Sequence, residues 1–162
     1  MYAGQSVTLK MADSGIAELI LDANGASVNV LNAHLQDELG QALAALGTRA
    51  DVRGLLIYSA KPAFVLGADI TEFTELFGMQ AADISRWAGK VHGLFNTIEK
   101  LPYPTVAAVN GMALGGGLEL SLAADFRVAD KAAKLGLPEV TLGICPGWGG
   151  TVRLSRLVGA EA

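Results

Sequence analysis

The segment Gly111–Leu120 has the sequence GMALGGGLEL and follows a short apolar stretch, Thr105–Val109. Such a stretch predicts a buried strand, and the glycines Gly115–Gly117 introduce a predicted helix over 116–124. Helix N-termini present unpaired backbone N–H groups and about half a positive charge. Because glycines let a ligand approach that backbone closely, the segment predicts a site for negative charge.

The negative charge at this site is either a phosphate or a transient oxyanion. A phosphate-binding loop requires Gly-Lys-Ser/Thr at its end, whereas Gly117 is followed by Leu118 and Glu119. An acidic side chain in the first helical turn repels phosphate and suits acid/base chemistry beside an enolate, so the sequence favours the oxyanion. The pattern also fits a glycine turn that packs a helix on a sheet, with Glu119 in solvent.

A second carboxylate, Glu139, follows Pro138 in the otherwise apolar stretch Leu135–Leu142 (LGLPEVTL). We expect this carboxylate to be partly buried. Taken alone, Glu139 also fits an exposed loop position, since Glu is mostly exposed in proteins. Two carboxylates near one oxyanion site can divide the acid and base roles over a bound water.

Strands and helices alternate along the chain, which predicts an α/β fold with a mostly parallel sheet. Two of the predicted helices begin after a capping residue, Asn32 or Asp69. The predicted strands are Val7–Met11, Ile16–Leu21, Gly54–Ser59, Thr105–Val109, Asp125–Ala129 and a short piece at Leu135–Leu137. The predicted helices are Ala33–Gly47, Ile70–Phe77, Ala82–Lys100, 116–124 and Gly150–Leu157.

The composition limits the function classes. The chain has 162 residues, of which 51% are hydrophobic and 17% charged, which predicts one ordered domain. The net charge is −4 with no Lys/Arg cluster, so nucleic-acid binding is not expected. No apolar run approaches the roughly 18 residues of a membrane span, and no signal peptide or metal-ligand spacing is visible. We expect the single cysteine, Cys145, to be buried and structural.

Three parts of the sequence resemble the crotonase (enoyl-CoA hydratase/isomerase) superfamily. They lie in the same order as in that family, and Glu139 follows Glu119 by 20 residues, as in its hydratases. The resemblance implies an α/β crotonase-like (Clp protease/crotonase) fold with a ββα-superhelix core. The three parts are Phe64–Ile70 (FVLGADI), Asn110–Leu120 (NGMALGGGLEL), and Leu137–Glu139 together with Pro146–Arg153 (LPE and PGWGGTVR).

The resemblance also implies a site and an activity. The backbone N–H groups of Ala68 and Gly116 would form an oxyanion hole, and Glu119 and Glu139 would be the catalytic residues. The implied reaction is hydration of trans-2-enoyl-CoA to 3-hydroxyacyl-CoA in fatty acid β-oxidation, with scope for Δ3-Δ2-enoyl-CoA isomerase activity and with no metal or cofactor in this domain. The alternative is a non-catalytic acyl-CoA-binding or assembly fragment of the same complex. The implied coenzyme A and substrate contacts are Ser27, Val28, Val65 and Leu66.

Three further segments, SGIAELILDA, ADITEF and AADFRVAD, resemble the first domain of multifunctional bacterial fatty acid oxidation proteins. In those proteins a 3-hydroxyacyl-CoA dehydrogenase part follows. The resemblance implies that residues 1–162 form the N-terminal part of a hydratase/isomerase domain, with its C-terminal helices and the NAD-dependent part missing. It also implies the bacterial cytoplasm, an oligomer or a complex with a thiolase subunit, and weak or absent activity of the isolated chain.

Overall fold

A mostly parallel sheet organises the chain. The computed structural model describes residues 1–159, with Glu75 described by its backbone alone, so the last three residues of the predicted domain lie outside the described part. The strands are β1 (Tyr2–Ala3), β2 (Val7–Met11), β3 (Ile16–Leu21), β4 (Gly54–Ser59), β5 (Thr105–Val109), β6 (Met112–Leu114), β7 (Phe126–Ala129) and β8 (Lys134–Gly136). One sheet has the order β1-β2-β3-β4-β5-β7, and a small second sheet pairs β6 with β8.

The helices connect and cover these strands. They are α1 (Ala33–Gly47), α2 (Phe73–Leu76), α3 (Ala81–Glu99), α4 (Gly116–Leu122) and α5 (Gly150–Val158), with 3-10 helices at Ile70–Glu72 and Pro138–Leu142. Among the described residues, no helix is both long enough and apolar enough to cross a bilayer.

The register of the large sheet brings distant loops together. Strands β1 to β3 are antiparallel, whereas β3, β4, β5 and β7 are parallel. Because β4 and β5 are parallel neighbours, the segments that follow them leave the same edge of the sheet. A parallel bridge joins Val65, after β4, to Ala113, after β5. This edge is therefore where the FVLGADI and GMALGGGLEL segments meet.

Local sequence rules account for the predicted elements. The side chain of Asn32 accepts a hydrogen bond from the Leu35 N–H (2.9 Å), which confirms it as the cap of α1. The predicted apolar face of α1 lies in the core, with Leu39 and Leu46 fully buried. Asp69 likewise accepts from the Thr71 N–H (3.0 Å), although the helix that it begins is a 3-10 turn leading into α2.

The structure departs from the sequence-based expectations at three places. Strand β6 was not predicted, because three residues between glycines give little local signal and its partners, β8 and Val65, are distant in sequence. The segment around Glu139 forms a 3-10 helix that begins at Pro138, where the fixed φ of proline suits a first helical position. The prediction for Cys145 was wrong, because this residue is exposed in the turn before α5.

The apolar residues of α3 do not all face the core. Val91, Phe95 and Ile98 face the core, and each is buried to within about 1% of full burial. Ile84 precedes Val91 by seven residues, a spacing that predicts the same helical face, but its side chain is 38% exposed. The N-terminal half of α3 covers the core only in part, through Trp87 and Ala88. It lines the cavity that is described next.

Candidate active site

A cavity of about 370 Å³ opens at the edge of the sheet where the loops after β4 and β5 meet. Its charged side chains are Glu119, at the start of α4, and Glu139, in the 3-10 helix. Most of the remaining lining is apolar, which excludes water and strengthens electrostatic interactions inside. The lining residues are Leu66, Gly67, Ala68, Ile70, Phe73, Leu76, Phe77, Ile84, Trp87, Ala88, Leu114, Gly115, Gly116, Glu119, Pro138, Glu139, Leu142, Ile144, Cys145, Gly147 and Trp148.

The glycine triplet is required by close packing at the start of α4. Gly115 has φ +51°, a left-handed conformation that favours glycine, and its N–H donates to the Gly136 carbonyl (2.9 Å). A Cβ on Gly117 would lie 2.1 Å from the Val65 carbonyl oxygen, so no larger residue fits there. The triplet thus lets the first turn of α4 lie directly against the segment after β4.

The two predicted oxyanion donors are at this junction. Gly116 is the first residue of α4, so its N–H has no acceptor within the helix. Within the part of the chain that the structure describes, the Ala68 N–H donates to no backbone or side-chain acceptor. Both residues line the cavity, and a Cβ built on Gly115 would lie 3.7 Å from the Cα of Gly67. The structure therefore brings two free N–H groups to the same wall of the cavity.

Glu119 is buried, with 1% of its surface exposed, which excludes the solvated alternative. Its Oε1 accepts hydrogen bonds from the Trp148 N–H (2.8 Å) and the Gly150 N–H (2.7 Å). Gly150 is the first residue of α5, so the carboxylate also faces the positive end of that helix. Because both bonds use Oε1, Oε2 is left for a group in the cavity.

The net pKa of Glu119 is raised above its ordinary value. Burial is the largest cause of the increase, and the nearby charge of Glu139 raises the pKa further. The hydrogen bonds from Gly150 and Trp148 and the charge of Arg153 lower it, without offsetting burial. A carboxyl group whose pKa is raised by burial is suited to general acid/base chemistry.

Glu139 lines the same cavity as Glu119, close enough for its charge to raise the pKa of Glu119. It is half-buried, and its Oε2 is buried without a hydrogen-bond partner among the described residues. A Cβ on Gly115 would lie only 3.0 Å from its Oε1, so this carboxylate lies beside the glycine triplet. Burying an oxygen without a hydrogen bond costs free energy, so the Glu139 Oε2 is available to a donor such as water or a substrate group.

The matching family model is described as enoyl-CoA hydratase/isomerase and spans residues 11–162. The chain belongs to the enoyl-CoA hydratase/isomerase family. Among curated proteins, the fatty acid oxidation complex subunit alpha of Pseudomonas putida strain GB-1 is 50% identical over 161 residues. That match covers 99% of this chain and 22% of the relative, so the chain spans about a fifth of the relative's length.

Solved structures of this family share the fold. An enoyl-CoA hydratase from Bacillus anthracis superposes with a TM-score of 0.85 at 38% identity, covering 96% of this chain and 59% of that one. An enoyl-CoA hydratase from Thermoplasma volcanium gives a TM-score of 0.87 at 28% identity, covering 98% and 61%. These likenesses confirm the crotonase-like α/β fold expected from the sequence.

The four predicted coenzyme A contacts lie on two adjacent segments, because the Leu66 N–H donates to the carbonyl of Asn29, next to Val28 (2.9 Å). Leu66 lines the cavity. Val65 is fully buried and its carbonyl accepts from the Leu114 N–H (3.1 Å), so Val65 does not reach the cavity. Ser27 is exposed and Val28 is half-buried, and both lie outside the cavity lining. Among residues 1–159, no group of His, Cys, Asp and Glu side chains could hold a metal ion.

Sequence reasoning missed the groups that hold Glu119. The Trp148 and Gly150 amides belong to a turn that lies far from Glu119 in sequence, and Arg153 contacts that turn from α5. The sequence predicts a tight Gly/Pro loop over Cys145–Gly150 before the last helix, but not that the amides of this loop bind Glu119. Its two consecutive glycines before a helix were the available signal, since they form the same kind of anion-binding helix start as Gly115–Gly117.

Proposed function

We propose that this chain holds the hydratase site of its family and adds water to trans-2-enoyl-CoA, giving 3-hydroxyacyl-CoA in fatty acid β-oxidation. One observation carries the proposal: Glu119 and Glu139 line a single apolar cavity together with the free N–H groups of Ala68 and Gly116. That combination of two carboxylates and two donors is what addition of water to an unsaturated thioester requires.

The reaction follows from this arrangement. Water attacks the β carbon of the enoyl thioester, and negative charge develops on the thioester oxygen. The N–H groups of Ala68 and Gly116 stabilise that charge, and losing one such donor typically costs about 10²–10³ in rate. One glutamate accepts the proton from the attacking water, and the other delivers a proton to the α carbon. The proton count balances, because water supplies OH to the β carbon and the α carbon gains one H.

A second activity is Δ3-Δ2 isomerisation of enoyl-CoA. Glu139 has an unpartnered Oε2, so this oxygen can take a proton from one carbon and return it to another without breaking an existing hydrogen bond. Isomerisation moves one proton between the α and γ carbons and needs a single carboxylate, whereas hydration uses both. Incubation with a 3-enoyl-CoA and analysis of the product distinguishes the two activities.

The wider context is also part of the proposal. The 50% identity to an alpha subunit named for the fatty acid oxidation complex supports residues 1–162 as part of a hydratase/isomerase domain in such a protein. In that setting the domain uses no cofactor of its own, NAD serves a separate dehydrogenase part, and a thiolase subunit is the partner. Two expectations stay predictions. One is the bacterial cytoplasm as location, and the other is coenzyme A contact by Ser27, Val28, Val65 and Leu66.

The test is hydration of a short 2-enoyl-CoA, measured with protein in excess so that a single slow turnover is detected. We expect Glu119→Gln and Glu139→Gln each to abolish the parent rate, while Asp51→Asn, in an exposed loop pair with Arg49, keeps it. Hydration at the parent rate in both glutamine variants would contradict the proposal. Tight acyl-CoA binding without turnover by the parent would instead favour the non-catalytic binding fragment.

A further inference from the structure

Arg153, in the first turns of α5, connects three parts of the molecule. Its Nη1 donates to the Trp148 carbonyl (3.2 Å), and its Nη2 donates to the Asn96 Oδ1 (2.7 Å) and the Glu99 Oε2 (3.0 Å) of α3. The side chain is only 11% exposed. The planar guanidinium therefore joins the turn before α5 to α3 with directional bonds that an ammonium group cannot reproduce.

The turn held by Arg153 is the one that binds Glu119. Trp148 offers its carbonyl to Arg153 and its N–H to the Glu119 Oε1, so the two hydrogen bonds share one residue. Gly149 next to it has φ +103°, and a Cβ there would lie 2.3 Å from the Arg153 Nη1. The guanidinium thus packs directly on the backbone of the turn at Gly149. Glycine has wide conformational freedom, and this contact restricts it.

We propose that Arg153 is a positioning residue of the reaction, which fixes the turn over 148–150 so that its two amides hold Glu119 with one oxygen bound and the other free for the cavity. The inference rests on the proposed function for its effect on rate, but its effect on Glu119 itself is independent of turnover. The Arg153 side chain does not need to reach the substrate for this role.

The electrostatics act in the same direction. Burial raises the pKa of Glu119, and the positive charge of Arg153 together with the two amides of the turn counteracts part of that increase. The other titratable groups around the site are Glu139, whose charge raises the pKa of Glu119, Cys145, which lines the same cavity, and His92 of α3, whose Cε1 lies 3.6 Å from a Cβ position on Gly149. Removing Arg153 therefore shifts Glu119 towards its protonated form.

A purely structural role for Arg153 is the competing explanation. Its ion pair with Glu99 joins a side chain that is 52% exposed, and such surface pairs contribute little to stability. The bond to the Trp148 carbonyl ends on the turn that binds Glu119, and the bond to Asn96 ends on α3, so the inward bonds link that turn to α3. The two roles make different predictions for the titration of Glu119.

The experiment compares Arg153→Met, Arg153→Lys and the control Arg156→Met, which removes an exposed arginine from the same helix. Carbon-13-labelled glutamate is followed by NMR as a function of pH in each protein, and the Glu119 signal is assigned by its loss in Glu119→Gln. Hydration is measured on the same samples. We expect Arg153→Met to move the Glu119 titration to higher pH and to lower kcat at least about tenfold, with KM within about twofold.

Each outcome decides the proposal. Arg153→Lys, which keeps the charge but not the planar fork, should give an intermediate shift and decides the matter if Arg153→Met does not fold. An unchanged Glu119 titration in a folded Arg153 variant would overturn the proposal, even where stability falls. If the parent shows no hydration, the titration still decides the role of Arg153, so failure of the proposed function and failure of this inference are distinguishable.

Discussion

Two glutamates of this chain are buried and bound by backbone N–H groups, yet they differ in how their oxygens are used. Glu38 of α1 accepts from the Gln5 N–H with Oε1 (2.7 Å) and from the Ser6 and Val7 N–H groups with Oε2 (2.7 and 2.9 Å). Glu119 accepts two N–H groups on one oxygen and leaves the other free. The Glu38 carboxylate therefore uses both oxygens to join α1 to the N-terminal strands, whereas the Glu119 carboxylate keeps one oxygen open to the cavity.

The pKa values of the two residues shift in opposite directions. Burial raises the pKa of Glu38, but three backbone hydrogen bonds and the nearby His34 outweigh it, so the net pKa is lowered. For Glu119 burial is not outweighed, and the net pKa is raised. Glu119 is the more deeply buried of the two and accepts two backbone hydrogen bonds rather than three, and both differences favour a higher pKa for Glu119.

The largest expected effect is on activity. Glu119→Gln keeps the shape and an acceptor for the two amides but removes the exchangeable carboxylate, so we expect hydration to fall by about 10²–10⁴. Thermal unfolding should show unchanged or higher stability, because a buried charge has been removed. An active Glu119→Gln protein with reduced stability would assign this residue to the fold rather than to the site.

The next effect is on stability. Glu38→Gln places an amide NH₂ against backbone N–H donors, and we expect a loss of about 2–4 kcal/mol in the free energy of unfolding, measured in urea. The control Asp37→Asn removes an exposed partner of Lys90 and should change stability by less than about 1 kcal/mol. A loss equal to that of the control would contradict the structural role of Glu38.

A matched pair of glycines separates the two roles further. A Cβ on Gly150 would lie 2.9 Å from the Glu119 Oε1, and a Cβ on Gly4 would lie 2.4 Å from the Glu38 carboxylate. We expect Gly150→Ala to lower kcat about tenfold, since displaced donors weaken transition-state stabilisation. Gly4→Ala should instead cost about 1–3 kcal/mol of stability. The reverse pattern, in kinetics and in urea unfolding, would refute the division of roles.

The smallest effect is on the pH dependence of stability. Because the folded pKa of Glu38 is lowered, its contribution is present above the ordinary value of about 4.5 and is lost as pH falls through the folded pKa. Because the folded pKa of Glu119 is raised, its contribution is present below that ordinary value and is lost as pH rises through the folded pKa.

Unfolding curves over a range of pH measure these contributions. The difference in stability between the parent and Glu38→Gln should shrink towards acid. The parent should lose stability relative to Glu119→Gln as pH rises above the ordinary glutamate value. Parallel curves for the parent and both variants would show that neither carboxylate is linked to folding in the way the structure implies.

The sequence predicted the parts of the molecule that depend on local rules. The cap at Asn32, the strands β2 to β5 and the glycine helix start at Gly116 follow from residue type and periodicity. It did not predict β6, or the turn over 148–150 that binds Glu119, because these depend on partners far away in the chain. It predicted that Cys145 is buried, because cysteine is usually a buried residue type. Residue type alone does not show that this cysteine lies in an exposed loop beside the cavity.

The proposed site requires the Ala68 and Gly116 amides to receive the thioester oxygen between them while both glutamates face the reacting carbons. A crystal structure with a bound acyl-CoA shows this arrangement without reference to rates. We expect the thioester oxygen to lie roughly 2.7–3.1 Å from both nitrogens, with the α carbon facing Glu119 and Glu139. A thioester bound away from these two amides, or an acyl chain outside the cavity, would contradict it.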